Sequence, residues 1–438
     1  MNYHIVTYGC QMNLHESEKI AGILKTCGYD CESALEEADI IVFNTCCIRE
    51  NAENHAFGNI GALKKLKREK KGLLIAVGGC MVQEAGKAAI LKEKFPFIDI
   101  LFGTHNPAEL SSLIERKRAQ RKSIISVPDE RAETEDGITP IRTSFPNAWV
   151  NIMYGCNNFC SYCIVPYVRG RERSRSAEIV IKEVESLVRE GYKEITLLGQ
   201  NVNSYRDGEV GFPELLERVA AIEGKFRVRF MTSHPKDFSP ALVDVIKQNP
   251  KVCHHIHLPV QAGSDRILQL MNRRYTREKY LSELAYLRKE IPDCEVTTDL
   301  IVAFPTETEE EFQETLSLVR DADFSSAFTF IYSPRTGTKA AAMEGQISEE
   351  VAKDRITRLI ALVNSKTREK SGKYVGKTVE ILCEDFDEKK GMYLGRDEYG
   401  RMGYFKSDKN RVGDFVQLHI TEANGISLYG EEIVTVSK

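Results

Sequence analysis

Short apolar runs alternate with amphipathic stretches through most of the chain. Over about the first 120 residues the pattern predicts strands at Tyr3–Tyr8, Asp39–Phe43, Leu73–Val77 and Ile98–Leu101. Helical periodicity fills the intervals near Ser17–Cys27, Asn51–Lys70, Gln83–Lys94 and Pro107–Arg118. Such alternation predicts a doubly wound parallel sheet. From Pro128 to Asn147 the chain is acidic, then rich in Thr, Ser and Pro, and loses its periodicity, as a linker does.

The alternation resumes at Ala148. Strands are predicted at Ala148–Met153, Glu194–Leu198, Arg227–Thr232, His254–Leu258, Glu295–Val302 and Ala327–Tyr332. Helical stretches at Ala177–Glu190, Phe212–Ile222, Pro240–Lys247, Arg277–Lys289 and Glu307–Arg320 separate them. Six such units suit a full or partial (βα)6 barrel of TIM-like design. A long helical pattern follows at Glu349–Ser371. Past Gly376 come short strands punctuated by glycines, which predict a small antiparallel β-barrel. The expected organisation of this α/β protein is therefore 1–122, a linker at 123–147, 148–371 and 372–438.

Composition is that of an ordinary globular chain, 438 residues with 42% hydrophobic and 28% charged, enough for several cores. The net charge of −4 rules out a bulk polycation, so nucleic acid would be held by local basic patches. No signal peptide is visible, and no apolar run approaches the roughly 20 residues of a membrane span. A cytoplasmic protein is expected. Twelve cysteines are then informative, because reducing surroundings disfavour disulfides and clustered thiols there tend to be ligands or catalysts.

Three of them form the loop Gly155-Cys156-Asn157-Asn158-Phe159-Cys160-Ser161-Tyr162-Cys163, just after the first strand of the middle segment. That is a strand's carboxyl end, where barrels place their chemistry. The spacing lets one tight loop wrap three thiolates around an inorganic cluster. Three ligands rather than four leave one iron open. A zinc site would want a fourth Cys or His nearby, and the loop supplies none.

Cys10, Cys46 and Cys80 also follow predicted strands, so a parallel sheet would gather them on its carboxyl edge, where such sheets bind ligands. Flanking Gly9, Gly78 and Gly79 suit close backbone approach. Each alone reads as a small buried hydrophobe; three at equivalent strand ends favour a second three-ligand cluster. Cys47 adjoins Cys46, and the two side chains cannot point the same way on an extended segment. Cys27, Cys31, Cys253, Cys294 and Cys383 lack such company.

Basic residues repeat after the loop. Arg169, Arg171, Arg173 and Arg175, at spacing two, would project from one face of an extended segment and track a phosphate backbone. Arg266, Arg273, Arg274 and Arg277 form a second candidate patch. Residues 372–438 hold 10 basic and 12 acidic side chains, so RNA contact there would need a local face such as Arg396, Arg401, Lys406 and Arg411. His254, His255 and His257 do not make a zinc site, because strand alternation splits them between two faces.

The C-x3-C-x2-C loop, with Tyr162 before its last cysteine, resembles the signature of the radical S-adenosylmethionine superfamily. Taken with Tyr8-Gly9-Cys10-Gln11-Met12-Asn13, Asn44-Thr45-Cys46-Cys47-Ile48-Arg49-Glu50 and the run Gly155 to Arg175, nearly the whole chain resembles the methylthiotransferase family. Within it, these segments are similar to the branch that modifies isopentenyl-adenosine in tRNA. The resemblance implies an amino-terminal cluster domain, a radical domain and a TRAM barrel. It implies two 4Fe–4S clusters, on Cys10, Cys46 and Cys80 and on Cys156, Cys160 and Cys163. One carries or provides the inserted sulfur, methylated by one S-adenosylmethionine. The other cleaves a second S-adenosylmethionine, and the radical formed takes hydrogen from carbon 2 of adenine. Tyr162, Gln200, Asn201, Ser233, Gln261 and Asp299 are the implied cofactor contacts. The implied partners are the tRNA anticodon loop, a flavodoxin or ferredoxin and a sulfur donor, with the enzyme a monomer. Rival readings are the same chemistry on threonylcarbamoyl-adenosine or a ribosomal-protein aspartate, or a non-catalytic cluster carrier or RNA-binding scaffold. Ala303 and Thr306 stand where family members often carry glycine.

Overall fold

The computed structural model describes residues 1–47, 50–105, 107–120, 122–128 and 137–433. Its first unit is a parallel sheet of β1 (Asn2–Thr7), β2 (Cys31–Glu32), β3 (Ile40–Thr45), β4 (Leu74–Gly79), β5 (Ile100–Phe102) and β6 (Ile124–Ser126), in the order β2-β1-β3-β4-β5-β6. Central β3, Ile-Ile-Val-Phe-Asn-Thr, is buried along its whole length, as a strand covered on both faces must be. Helices α1 (Gln11–Thr26), α2 (Glu50–Glu69), α3 (Cys80–Gln83), α4 (Lys87–Lys94) and α5 (Leu110–Ala119) cover it. Residues Ile48 and Arg49 of the second cysteine motif lie outside the described residues.

Two expectations shift here. Helix α1 starts at Gln11, well before the predicted Ser17. Its first turns hide polar side chains, Asn13, His15, Ser17, Glu18 and Lys19, against the rest of the molecule, so no apolar stripe announces them. And Ile124–Ser126 pairs with β5, so the sheet reaches into the segment expected to be linker. A strand of three residues is too short to show alternation.

The middle unit contains β7 (Asn147–Asn151), the short pair β8 (Met153–Tyr154) and β9 (Arg173–Ser174) around α6 (Val165–Arg169), then α7 (Ala177–Arg189), β10 (Glu194–Leu198), the hairpin β11 (Arg206–Asp207) and β12 (Val210–Gly211), α8 (Phe212–Ala220), β13 (Arg227–Phe230), α9 (Pro240–Gln248), β14 (His255–His257), α10 (Asp265–Leu270), α11 (Arg277–Glu290), β15 (Glu295–Val302), α12 (Glu309–Asp321), β16 (Ser326–Ile331) and α13 (Glu349–Gly372). Parallel sheets β7-β10-β13 and β14-β15-β16 meet through a Val228–Val252 bridge and the bond from Ser233 N–H to the His257 carbonyl, 3.3 Å. No described residues pair β16 with β7, so the barrel is partial. Val150, Ile195, Leu197, Val228, Ile256, Val296 and Leu300 pack outward against the helices in one core. The alternate positions are polar, Asn151, Glu194, Arg227, Arg229, His257, Thr297 and Asp299, and line the concave inner face.

The third unit, β17 (Thr378–Asp387), β18 (Met392–Asp397), β19 (Met402–Phe405), β20 (Phe415–Asn424) and β21 (Ser427–Glu432), closes in the order β17-β18-β19-β21-β20. Its pairing is antiparallel except for the parallel β19–β21 pair, where a wholly antiparallel barrel was expected. It sits over the amino ends of the partial barrel's strands. Arg227 and Arg229 reach the carbonyls of Arg396, Asp397 and Glu398, and Arg401 pairs with Glu295. The opposite end of the barrel is left for chemistry.

Candidate iron–sulfur and cofactor site

The Cys156–Cys163 loop leaves β8 at the carboxyl end of the barrel. Gly155 begins it at φ +76°, and a Cβ there would strike the Arg171 carbonyl, so only glycine allows this close crossing. The loop is held from across the barrel. Ser161 bonds through its backbone N–H to the Met271 carbonyl and through its hydroxyl to the Leu270 carbonyl, 3.0 and 2.7 Å. Asn272 Nδ2 donates to the carbonyls of Asn158 and Phe159 at 3.1 and 3.0 Å.

Cys156 and Cys160 are buried and Cys163 is half-buried. Each sulfur has a donor suited to a thiolate: the N–H of Asn158 for Cys156, the N–H of Val165 for Cys163, and the guanidinium of Arg273 for Cys160, 3.4 Å away. Burial first, and then the neighbouring Cys160, still push the Cys156 thiol up to about 11 and Cys163 to about 12. Three neighbouring thiols with thiolate donors in place, of which Cys156 and Cys163 resist ionisation, fit a site completed by cationic iron. Arg273 was expected on a phosphate-facing patch and is instead buried against Cys160, Tyr275 and the Pro259 carbonyl. Arg266 and Arg277 are likewise engaged, with Glu311 and Asp321.

The second cysteine set lies on the sheet edge of the first unit. Strands β1, β3 and β4 are neighbours, and Thr45 pairs with Gly79, one residue before Cys46 and Cys80. Cys10 caps α1 directly after β1. At Gly9, φ +119°, an added Cβ would sit 2.8 Å from the Cβ of Cys46. Asn13 ties the edge together, donating to the carbonyls of Tyr8 and Thr45 at 2.8 and 3.1 Å and accepting from Cys10 at 3.7 Å. Cys47 is also present: its thiol hydrogen-bonds Cys80, and that bond, opposed by burial and aided by Arg169, brings Cys80 down to about 7. Topology thus gathers Cys10, Cys46, Cys47 and Cys80 on one edge.

The arginine strip expected after the loop is corrected by the fold. Arg169 belongs to a helix and is buried against Glu16, Asn13 and Met12 of α1. Arg175 is buried on Glu183 and the Asn151 carbonyl. Arg171 is exposed over the Phe159 ring, 4.5 Å from its centroid, and Arg173 is half-buried. The segment folds as helix, turn and short strand, so spacing two does not produce a common face. In the third unit, Arg401 is likewise buried in the docking contact, while Arg396 and Arg411 pair with Glu384 and Glu432.

Family models match all three units: Radical SAM superfamily over residues 150–319, Uncharacterized protein family UPF0004 over 2–103 and TRAM domain over 372–433. The tRNA-2-methylthio-N(6)-dimethylallyladenosine synthase of Clostridium tetani (strain Massachusetts / E88) is 50% identical over 435 residues, 98% of this chain and 96% of that protein. The chain belongs to the tRNA-2-methylthio-N(6)-dimethylallyladenosine synthase family. The synthase of Caldicellulosiruptor saccharolyticus is also 50% identical, over 98% of this chain and 92% of its own. Among solved structures, the radical S-adenosylmethionine methyltransferase TsrM from Kitasatospora setae, with cobalamin and a 4Fe–4S cluster bound, superposes with TM-score 0.57 at 13% identity, over 78% of this chain and 74% of that one. That likeness concerns the fold alone.

As a radical SAM protein, this member of the synthase family takes S-adenosylmethionine and a 4Fe–4S cluster. The barrel mouth fits the former. Gln200 Oε1, Asn201 Oδ1 and the Ser233 hydroxyl are buried with no hydrogen-bond partner, at the carboxyl ends of β10 and β13. Buried polar atoms left so are costly unless a ligand satisfies them. Asn151, whose amide has neither atom partnered, ends β7 beside them and was missed in the sequence. Its signal was there, a polar residue at the last position of the barrel's first strand. Gln261, at φ +77°, and Asp299, 3.6 Å from His257 Nε2, lie on the other half of the barrel. Tyr162 is half-buried and packs against the apolar cluster that includes Phe304, Tyr332 and Met271. His255 and His257 share the Thr297 hydroxyl while His254 bonds Asp293.

Proposed function

We propose that the chain converts N6-dimethylallyladenosine (isopentenyl-adenosine) at position 37 of tRNA to its 2-methylthio derivative, with two S-adenosylmethionine molecules and two 4Fe–4S clusters. The observation that carries it is the pair of three-cysteine sets, each at the carboxyl edge of its own parallel sheet, within a chain half identical to such synthases from end to end. Bound at Cys156, Cys160 and Cys163, the first cluster supplies one-electron cleavage of S-adenosylmethionine, the kind of chemistry an unactivated C–H bond requires.

The chain's own residues do the rest. Arg273 and the backbone N–H groups of Asn158 and Val165 stabilise the thiolates. Gln200, Asn201, Ser233, Gln261 and Asp299, joined by Asn151, bind and orient the cofactor. Cys10, Cys46 and Cys80 would hold the second cluster, which would supply the sulfur-insertion chemistry. Helix α1, which Cys10 caps, docks against the barrel mouth through Met12 on Gln200 and Lys19 on Tyr154. Arg171 and Arg173 remain for RNA, with Lys406 on the barrel of the third unit, and the anticodon loop enters between the units. A flavodoxin or ferredoxin supplies electrons and a separate donor the sulfur, to a monomeric cytoplasmic enzyme. Among the described residues no helix is long and apolar enough to cross a membrane.

Nucleoside mass spectrometry of tRNA from a deletion strain tests the reading. Loss of the methylthio group from isopentenyl-adenosine, with threonylcarbamoyl-adenosine derivatives intact, is expected. The reverse pattern overturns it.

A further inference from the structure

We infer that Arg169 is the positioning residue that joins the two cysteine sets, a guanidinium supplied by the radical domain to hold and electrostatically tune the Cys10–Cys46–Cys80 site. The inference rests on the two-cluster reading above. Arg169 ends α6, the short helix that leaves the Cys156–Cys163 loop, so its backbone is set by the first cysteine set. Its side chain is set by the second. Nη1 lies 3.2 Å from Met12 Sδ and 2.5 Å from Glu16 Oε1, and Nη2 lies 3.0 Å from Asn13 Oδ1. Asn13 Oδ1 is the atom that also accepts from Cys10. The guanidinium further hydrogen-bonds Cys80 and acts on Cys10 through its charge.

The helix carrying it is splinted into the first unit. Ile164 and Val168 are part of that unit's hydrophobic core, with Phe43, Cys47 and Cys80, and Thr104 donates its hydroxyl to the Val168 carbonyl. Arg169 therefore cannot move with respect to the sheet edge without disturbing the cysteine loop, and the loop cannot move without withdrawing the charge. Arginine rather than lysine is needed, because one rigid fork meets Met12, Asn13 and Glu16 together. A buried cation beside cluster sulfurs favours the more negative, reduced cluster, since low dielectric strengthens the interaction. Glu16 faces the same guanidinium and offsets part of that effect.

The test uses the full chain with Cys156→Ala, Cys160→Ala and Cys163→Ala, reconstituted anaerobically, so that the iron bound is that of the second set. Its midpoint potential is read by EPR-monitored redox titration. Arg169→Gln is expected to lower the reduction equilibrium about tenfold, or about 59 mV for one electron. Arg169→Lys falls between, and Glu16→Gln shifts the potential the opposite way. Arg218→Gln, remote on α8, serves as the unmoved control. Arg169→Gln and Glu16→Gln both titrating with the parent overturn the inference. If Arg169→Gln retains no iron, Glu16→Gln alone decides: a positive shift supports the assignment and no shift overturns it. A parent variant that binds no iron removes the two-cluster reading itself, and the inference with it.

Discussion

The two cysteine sets reach similar ends by opposite means. Cys156, Cys160 and Cys163 lie within one loop, and eight residues of chain determine their spacing. Cys10, Cys46 and Cys80 are brought together only because β1, β3 and β4 are adjacent and in register. The local set is pinned by donors from across its own barrel, Ser161, Asn272 and Arg273. The distributed set relies on a side-chain bracket, Asn13, and on an arginine from another domain. A local site thus survives small changes of the fold, and a distributed one reports them.

Cysteine replacement breaks the comparison most sharply. Alanine at Cys156, Cys160 and Cys163 should reduce iron from about eight per chain to about four, as expected for two cubanes, and abolish 5′-deoxyadenosine release. Alanine at Cys10, Cys46 and Cys80 should also leave about four irons yet preserve that release, while methylthio product disappears. Cys46→Ala should lose the second cluster and Cys47→Ala should keep it. Iron analysis of the pair would reverse the ligand assignment if the outcome were exchanged, a real contest given that Cys47 is the thiol on Cys80.

Next in size is Gly155→Ala. The added methyl meets the Arg171 backbone at a left-handed φ, so a cost of roughly 2–4 kcal/mol is expected at the local loop. Iron in that set should fall while the distributed set stays loaded, as analysis in the Cys10, Cys46 and Cys80 alanine background would show.

Acid should separate the sets by a different route. His15 and His255 are buried at the two docking surfaces. Burial first, then neighbouring cations, holds each well below its usual range: Lys19 and Arg142 at His15, Arg229 at His255. Arg142 donates to His15 Nδ1 at 2.9 Å and Arg229 approaches His255 Nδ1 at 3.3 Å, which requires the neutral ring. Since the unfolded chain binds the extra proton, stability is full above about pH 6.5 and falls below it, by about 1.4 kcal/mol per pH unit for each histidine. Thermal melts from pH 7 to pH 5 should show this slope, lessened in His15→Gln. An unchanged slope in that variant would place the acid sensitivity elsewhere. The distributed set, whose Cys10 caps the helix that carries His15, should lose iron first.

The smallest effect is a gain outside both sets. Ala303 and Thr306 stand at φ +58° and +68°, the left-handed region that favours glycine. Ala303→Gly should stabilise by roughly 0.5–1 kcal/mol, seen as a raised Tm with iron content unchanged. Thr306→Gly should gain less, because the Thr306 hydroxyl accepts from Arg266 at 3.2 Å.

Much of this architecture was legible in the sequence where apolar periodicity carried it. Strands Glu194–Leu198 and Glu295–Val302 fall at their predicted bounds, because each buries an unbroken core face. The six candidate ligand cysteines were legible, three from spacing and three from strand ends, with Cys46 preferred to Cys47 on the family resemblance alone. What stayed hidden was polar burial. Helix α1 begins before any apolar stripe, and Arg169, Arg175, Arg273 and Arg401 read as solvent-facing charge until their partners, far away in the chain, were in place. By itself, then, the sequence determined the longer apolar strands and helices and which thiols stand at strand ends, since both follow from nearest neighbours along the chain. Only the tertiary structure decided which charges face solvent and which are spent on holding one domain to another, because burial of a charge depends on a partner that local sequence does not contain.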